Sequence, residues 1–236
     1  MLVISRLALA ASLLSCLQAV ALRGASEPPA LSSEQIIARL QQENLRRFNS
    51  LKHLTGSRSY HIAYRGLGNL SADMLVEAAY DAPSTKTFRI VSESGSKLLR
   101  DKVLKKLLEA EKEAADPAMQ RSTALSPDNY TFQLVGTSQV NGRSCYGFMV
   151  EPHHPSKFLY RGKIWIDAVD FAVVQIEAEP SKNPSFWIRD TKIHHVYRKV
   201  GDFWLPKQNQ SVSTMKVGGT AILTIDYTQY KVSTGR

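Results

Sequence analysis

Histidines are the most versatile chemical residues of this chain, and four of the six occur as adjacent pairs. Their imidazole nitrogens could ligate a metal ion, but His194 and His195 follow each other in a β-rich segment, where neighbouring side chains point to opposite faces. His153 and His154 fall in a predicted loop with no cysteine or carboxylate at ligand spacing. The pattern therefore argues against a metal site, and we expect no cofactor.

Nucleophilic catalysis lacks its usual sequence signatures. The chain has no GxSxG motif, and Cys145, in a predicted hairpin strand, has no identifiable histidine to activate it. We expect Cys145 to pack as a small apolar residue. The acidic residues that could serve acid–base catalysis are Asp167, Asp170, Glu177 and Glu179. Their spacing suits a solvated turn and outward strand positions equally well, so we expect a protein that is not an enzyme.

Apolar and aromatic residues at alternating strand positions are the remaining candidates for function. The candidates for one lined concavity are Tyr60, Ile62, Tyr64, Met74, Val76, Phe88, Phe132, Leu134, Phe148, Phe186 and Trp187. A cavity lined in this way gains about 0.8 kcal/mol for each methylene of an acyl chain that it buries. The same alternation would also build an ordinary core packed against helices, and the sequence does not separate the two.

Two amphipathic helices are predicted to lie against the strands. The first begins at Ser32 or Ser33, either of which can cap it, and is closed by Gly56. Its apolar stripe, interrupted by Asn44, comprises Ile36, Ile37, Leu40, Leu45, Phe48 and Leu51. The second spans residues 96–116, has one apolar and one lysine-rich face, and is stopped by Asp116-Pro117. It would either cover a face of the sheet or act as a movable lid.

The rest of the chain has the alternation and turn residues of β-strands. Asn141-Gly142 is a strong hairpin signal, and Gly201-Asp202 and Gly218-Gly219 mark tight reversals between the last three strands. The segments on either side of Gly201 are long, about 13 to 15 residues against a usual five or six. Long antiparallel strands joined by short turns must twist and curl. The predicted fold class is therefore α+β, with a large curved antiparallel sheet wrapped over amphipathic helices.

The first 21 residues have the features of a cleavable signal peptide. Arg6 supplies the positive start, a compact apolar core follows, and Ala19-Val20-Ala21 is a small-x-small cleavage site. A rival interpretation takes Leu13-Leu14-Ser15-Cys16 as a lipobox, which would lipid-anchor the chain through Cys16. We predict a signal peptide over residues 1–21, a flexible lead-in over 22–32 and a single domain over 33–236.

Composition limits the partners and the covalent links of the exported chain. Cleavage would lower the formal charge from +9 to +8, since residues 1–21 hold one arginine and no acid. Only Cys145 would remain, so an intramolecular disulfide is impossible. A basic balance suits anionic envelope surfaces as well as simple solubility, and we expect no nucleic acid, because the chain is exported and has no basic arm.

The tryptophan-bearing segments GKIWIDAVDFAVVQIEAEP and VGDFWLP resemble the C-terminal half of the LolA-like periplasmic lipoprotein-sorting proteins. The matching elements are Trp165–Asp167, Ala172–Glu179, Gly201-Asp202 and Trp204-Leu205-Pro206. The clear similarity covers about residues 130–232, and over 33–116 it rests on layout alone. The resemblance implies an incomplete β-barrel, as in LolA and LolB, whose hydrophobic concave side is closed by helices. The arginine that helps hold the lid in the carrier has no assigned counterpart, although Arg65, Arg89 and Arg100 are conceivable.

Together these features predict a periplasmic, non-enzymatic protein that binds acyl chains of lipids or lipoproteins, or other amphiphiles, for envelope trafficking. Transient membrane-surface contact would use the lysine-rich helix face. An alternative is an envelope sensor or scaffold that uses the same fold to bind a protein partner. A third is a hydrolase of envelope substrates, which would need a nucleophile and a base converging in one cleft.

Overall fold

The structure, a computed structural model, describes residues 31–235. The predicted signal peptide, Cys16 and residues 22–30 of the lead-in lie outside this range. The helices are α1 (Ser33–Ser50), α2 (Lys97–Leu99), a π-helical turn (Arg100–Leu104), α3 (Lys105–Glu113) and α4 (Pro117–Thr123). The strands are β1 (Leu51–Arg65), β2 (Asn69–Asp81), β3 (Thr85–Gly95), β4 (Tyr130–Val140), β5 (Arg143–Pro152), β6 (Tyr160–Asp167), β7 (Val173–Pro180), β8 (Ile188–Val200), β9 (Phe203–Met215) and β10 (Thr220–Thr234). None of the described helices is long and apolar enough to span a bilayer.

All ten strands form one antiparallel sheet, in the order β3-β2-β1-β10-β9-β8-β7-β6-β5-β4. In the described chain β3 and β4 are the two edges, and the helical segment 97–123 connects them. Five of the nine strand pairings contain a register shift. Such bulges add local twist and bend the strands. The predicted fold class is confirmed: the sheet curves over helices without closing.

The predicted hairpins are confirmed, and their turn residues explain them. Asn141 and Gly142 join β4 to β5 with φ angles of 51° and 77°. Positive φ at both central residues is what the favoured two-residue hairpin turn requires. Gly218 and Gly219 join β9 to β10 with φ angles of 94° and 88°. These turns fix the register of the neighbouring strands, and the register decides which side chains face the concave side of the sheet.

The first helix is shorter than predicted. Ser32 caps it in a capping box with Gln35, and β1 begins directly after it at Leu51. Gly56 therefore does not close the helix but lies inside β1, where an added Cβ would come within 3.0 Å of the Tyr230 ring. The predicted apolar stripe also fails at its C-terminal end, since Leu45 and Phe48 are exposed.

The second helix ends earlier than predicted and is not uniform. Ser96 caps α2, the π-helical turn follows, and α3 ends at Glu113. Asp116 does not stop this helix, because its carboxylate accepts hydrogen bonds from the Ala118 and Met119 amides at 2.9 and 3.1 Å and so caps α4. Proline fits at the first position of a helix, where its missing N–H is not needed. We refer to residues 97–113 as the helical cover.

Candidate ligand-binding site

Five of the predicted lining residues meet beneath the helical cover. Tyr60 and Ile62 of β1 and Met74 and Val76 of β2 are buried in one cluster, and Phe88 of β3 packs against it. The other buried members are Ala72, Leu99, Leu104, Leu108, Ile225 and Tyr227. The cover thus fills this part of the concave face with its own leucines, and a ligand could enter only if the cover moved.

The other six predicted residues do not join this cluster. Phe148 is buried in the other half of the sheet, where its ring meets that of Phe132 edge-on at a centroid distance of 6.3 Å. Leu134 is exposed on the edge strand β4. The hydroxyl of Tyr64 donates a hydrogen bond to the Gly218 carbonyl at 3.0 Å, at the end of the sheet.

Phe186 and Trp187 lie outside the interior. Both are exposed and precede β8, which begins only at Ile188. Their rings meet edge-on with centroids 5.6 Å apart. The sequence placed them on a strand because two aromatic residues favour β structure, but Asn183-Pro184 before them forms a connection in the structure.

A partly buried ion pair fastens the end of the cover to the sheet. The Arg58 guanidinium on β1 pairs with the Glu111 carboxylate on α3. It also donates to the Tyr60 hydroxyl at 3.4 Å, and that hydroxyl donates to Glu111 at 3.3 Å. The guanidinium lies 5.1 Å from the centroid of the Phe88 ring and 5.3 Å from that of Tyr227. This role of Arg58 was not predicted from the sequence. The available signal was its position two residues before Tyr60, which places a charged side chain on the inward-facing row of β1.

The electrostatics of this latch keep it charged. Burial would lower the pKa of Arg58, but the Glu111 carboxylate and the Tyr60 hydroxyl together outweigh burial and raise it. Burial, assisted by the charge of Glu111, raises the pKa of Tyr60 to about 12. Burial also lowers the pKa of Lys86, which senses both Glu111 and Arg58. The Arg58 guanidinium therefore stays charged at neutral pH, and the Tyr60 hydroxyl stays protonated.

The start of the cover is tied to the edge strand instead. Arg100 pairs with Glu93 of β3 at 2.8 Å, and Lys105 reaches Asp101 at 2.8 Å and Glu93 at 3.6 Å. These residues lie on or beside the π-helical turn, a geometry that often marks a functional irregularity in a helix. The cover thus has one attachment at its beginning and the Arg58–Glu111 pair near its end, with the irregular turn between them.

The half of the sheet beneath α1 contains a hollow. Its volume is about 350 Å³, within the range of small-molecule sites. It is lined by Asn44, Arg47, Phe48, Leu51, Leu125, Tyr160, Ala172, Val173, Ile176, Tyr197, Phe203 and Trp204. The buried Arg47 ties α1 to the adjoining turns, because its guanidinium donates to the carbonyls of Asp170, Phe171 and Asp202. This half therefore has an open space under a firmly attached helix.

A polar seam lies between the two halves. The Asn209 amide nitrogen on β9 donates to the Tyr227 hydroxyl at 2.9 Å, while its buried amide oxygen has no hydrogen-bond partner among the described residues. His195 lies opposite Asn209 in the β8–β9 pairing. Burial, with a smaller effect of His194, lowers the pKa of His195 to about 4. The unpartnered oxygen could accept a hydrogen bond from the polar group of a ligand.

The acidic residues build a turn. Asp167 is fully buried, so the expectation of a solvated turn is wrong for this residue. Its carboxylate pairs with Arg143 and accepts from the Val169 and Asp170 amides at 3.0 and 2.7 Å. The Asp170 carboxylate accepts from the Trp204 indole at 3.1 Å. The motif thus fixes the β6–β7 turn against β9.

Cys145 is buried, as predicted, and packs with Trp165 and Val174. Burial raises the pKa of its thiol to about 11, which disfavours the reactive thiolate. The described residues contain no group of three or more His, Cys, Asp or Glu side chains placed to hold a metal ion.

Comparison with solved structures finds similar folds at low sequence identity. A DUF1329 family protein from Desulfovibrio piger is 12% identical, with a TM-score of 0.42 over 86% of this chain and 94% of its own. A LolA superfamily protein from Nitrosomonas europaea is 10% identical, with a TM-score of 0.38 over 86% and 94%. A domain assigned to the outer membrane lipoprotein-sorting proteins, from Vibrio parahaemolyticus, is 13% identical, with a TM-score of 0.38 over 84% and 92%.

These neighbours include the group that the tryptophan segments resemble. No family model matches the chain, and no curated protein matches it. Similarity at this level carries no argument about activity, which has to come from the residues of the chain itself.

Proposed function

We propose that this chain is a periplasmic, non-enzymatic protein that binds acyl chains of lipids or lipoproteins, or related amphiphiles, for envelope trafficking. The observation that carries the proposal is the apolar cluster beneath the helical cover, which the Arg58–Glu111 pair closes near the end of the cover. The ligand would occupy the concave face that Tyr60, Ile62, Met74, Val76 and Phe88 form, after the cover has moved outwards.

The closed cover and the ligand-bound open state have comparable energies, which favours reversible binding. Burial of Leu99, Leu104 and Leu108 stabilises the closed cover by about 1.5–3 kcal/mol each, or about 5–9 kcal/mol together. An acyl chain that buries ten methylenes in their place recovers about 8 kcal/mol. Because the two amounts are comparable, a ligand can replace the leucines without a large net cost.

The rest of the interior suits an amphiphile. The hollow beneath α1 continues the concave face on the other side of the seam, and its lining mixes apolar rings with tyrosine hydroxyls. The unpartnered amide oxygen of Asn209 supplies a buried acceptor beside the apolar cluster. An acyl chain with a hydrogen-bond donor in its polar group matches this combination of surfaces.

Lipid extraction and uptake test the proposal. The purified chain is extracted with organic solvent for mass spectrometry, and its delipidated form is titrated with a fluorescent fatty acid. We expect a co-purifying lipid and saturable uptake. Absence of both would refute the proposal.

Two neighbouring substitutions localise the site. Val76→Phe adds volume beneath the cover, and we expect about tenfold weaker uptake because the added ring occupies the ligand's space. Leu75→Phe on the exposed face of the same strand is the matched control and should not change uptake. Equal effects of the two variants, both folded by circular dichroism, would place the ligand elsewhere.

A second function is favoured by the two edges of the sheet. The edge strands β3 and β4 expose Ile90, Val91, Leu134 and Val135. Free edges with apolar side chains can pair with a strand of another protein. A pull-down with delipidated chain tests this role as a sensor or scaffold. Loss of the captured protein in Val135→Lys, with fatty-acid uptake unchanged, would support it, and capture by both forms alike would count against it.

A further inference from the structure

One end of the sheet carries six neighbouring connections, residues 65–69, 96–98, 124–129, 152–159, 181–187 and 216–219, and we call the five other than 124–129 the rim. The strand register brings them to the same end: β1 stops where β2 and β10 start, and β8 starts where β9 stops. Strands β5 and β7 end, and β6 starts, at this end as well.

Hydrogen bonds join the rim connections to one another or to the adjoining strand ends. The Ser96 amide donates to the Ser71 carbonyl at 2.7 Å, and the Lys216 amide donates to the Trp187 carbonyl at 2.9 Å. The Ser181 amide donates to the Leu159 carbonyl at 2.8 Å. These bonds link 152–159, 181–187 and 216–219 to one another, and the strand register places 65–69 and 96–98 beside them at the starts of β2 and β10.

The rim exposes five large apolar side chains. The exposed fractions are 89% for Leu67, 59% for Leu98, 75% for Phe186, 57% for Trp187 and 53% for Val217. Single exposed apolar residues are ordinary, but several on one continuous surface indicate an interaction site.

The aromatic part of the rim is held rigidly in solvent. The Trp187 amide donates to the Ser185 hydroxyl at 3.3 Å, and the Asn183 side chain donates to the carbonyls of Ile188 and Arg189 at 3.2 and 2.9 Å. The Lys216 ammonium lies 4.1 Å from the centroid of the Phe186 ring. These contacts fix the connection while leaving both rings exposed to solvent.

The charge of the rim has one sign. Its cationic residues are Arg65, Lys97, Lys157, Lys182 and Lys216, and none of its residues is Asp or Glu. The adjoining segment 124–129 adds one acidic residue, Asp128. The turns at the opposite end carry both signs: they contain or adjoin Asp81, Asp167, Asp170 and Asp202, and Arg143 and Lys199 pair with two of these acids. On the cover, Lys105 pairs with Asp101 and Arg100 pairs with Glu93, so part of its positive charge is neutralised.

We propose that the rim docks this protein on the surface of an anionic lipid bilayer. Tryptophan favours the headgroup region, and phenylalanine buries its ring at the boundary with the acyl chains. Lysine stems lie along apolar surface with the ammonium in water, and basic residues are attracted to anionic lipid. The rim would settle flat on the headgroups, with the sheet standing above the membrane. This inference does not depend on acyl-chain binding.

Vesicle flotation of the purified chain tests the docking. We expect flotation with phosphatidylcholine vesicles that contain phosphatidylglycerol, little with vesicles that lack it, and weakening as salt is raised. Phe186→Ser with Trp187→Ser should weaken partitioning about tenfold or more. Each of Lys182→Glu and Lys216→Glu should weaken it at least about fivefold.

The controls use the other end of the molecule. Val169→Ser removes an apolar residue that is 77% exposed in the β6–β7 turn, and Lys207→Glu reverses a charge in the distal part of β9. Both should float like the unchanged chain. Equal loss in controls and rim variants, or full flotation of the aromatic double variant, would overturn the proposal. So would a dimer of the unchanged chain that the double variant abolishes, since the rim would then cover a second copy.

Fatty-acid uptake by the same double variant separates the two proposals. Retained uptake with lost flotation supports the rim as an independent docking surface. If no form of the chain takes up fatty acid, flotation still decides the docking.

Discussion

The helices that cover the two halves of the sheet, α1 and the helical cover, are attached to the sheet in different ways. Arg47 anchors α1 through three backbone carbonyls in two turns of the sheet. The cover depends near its end on one side-chain pair, Arg58 with Glu111, and contains a π-helical turn. Backbone acceptors in tight turns are fixed in place, whereas a carboxylate on a helix can leave together with that helix.

The contents of the two halves differ as well. Beneath α1 a hollow of about 350 Å³ persists in the closed molecule. Beneath the cover, the cover's own leucines fill the space. The comparison indicates that α1 belongs to the scaffold and that the cover is the element able to exchange places with a ligand.

The largest expected contrast comes from the same substitution in the two helices. Leu40→Ala in α1 and Leu104→Ala in the cover each remove a fully buried leucine, a change that costs about 2–5 kcal/mol. We expect Leu40→Ala to lower the free energy of global unfolding by this amount. Leu104→Ala should mainly lower the free energy of local opening, so that hydrogen exchange speeds up over residues 97–113 before it does in the sheet.

Denaturant unfolding with hydrogen exchange by mass spectrometry distinguishes the two outcomes. An equal loss of global stability, with exchange accelerated throughout the sheet in both variants, would show that the cover does not open separately. Fatty-acid uptake should strengthen at least tenfold in Leu104→Ala, because less free energy is needed to reach the open state.

The folded chain should lose stability in mild acid because of His195 in the polar seam. The pKa of His195 is lowered to about 4 in the folded chain, against the ordinary 6.5 when unfolded. The unfolded chain therefore binds more protons between these values, and stability is lost as pH falls through this window. From pH 7.5 to 5 we expect a loss of about 2 kcal/mol from this group.

Denaturant unfolding at the two pH values measures this loss. His195→Asn should remove about 2 kcal/mol of the difference between them. The control His194→Asn, on the opposite face of β8, should keep it. An unchanged pH dependence in His195→Asn would show that the buried imidazole is not responsible.

Breaking the latch should have an effect that is confined to the cover. Glu111→Gln keeps the shape of the side chain and leaves the Arg58 guanidinium without its carboxylate, at a cost of about 1–3 kcal/mol because the pair is partly exposed. We expect faster hydrogen exchange in α3 and faster ligand uptake. Glu113→Gln, exposed on the same helix, is the control and should change neither. Unaltered exchange in Glu111→Gln would remove the latch from the mechanism.

The smallest effect is expected for an ion pair of similar geometry on the surface. Arg89 and Glu77 pair at 2.5 Å between β3 and β2, and both side chains are largely exposed. Arg89→Ala should cost less than about 0.5 kcal/mol, because water and salt screen such pairs. A loss as large as that in Glu111→Gln would mean that burial does not distinguish the two pairs.

Local chemistry explains which elements could be predicted. Asn141-Gly142 and Gly218-Gly219 specify their turns through residues that adopt positive φ, and Ser32 specifies the start of α1 through its capping hydroxyl. These features depend on neighbours in the chain. The end of α1 could not be placed in the same way, because Gly56 resembles a helix terminator locally but serves to admit the Tyr230 ring.

The candidate site was predicted only in part, for a related reason. Alternation identified Tyr60, Ile62, Met74 and Val76 as inward-facing, since each strand turns one row of side chains inwards. It could not find Arg58 as the latch, because its partner Glu111 is 53 residues away. Alternation also placed Phe186 and Trp187 in the interior. They belong to the connection before β8, and residue type alone does not distinguish such a connection from the strand that follows it.

By itself the sequence determined a curved antiparallel sheet over amphipathic helices, because turn residues, helix caps and the two hydrophobic periods all act over a few neighbouring positions. Only the tertiary structure decided which leucines fill the concave face, which arginine fastens the cover, and that the exposed aromatic pair lies among basic connections at one end. Those outcomes depend on residues far apart in the chain, which the strand register alone brings together.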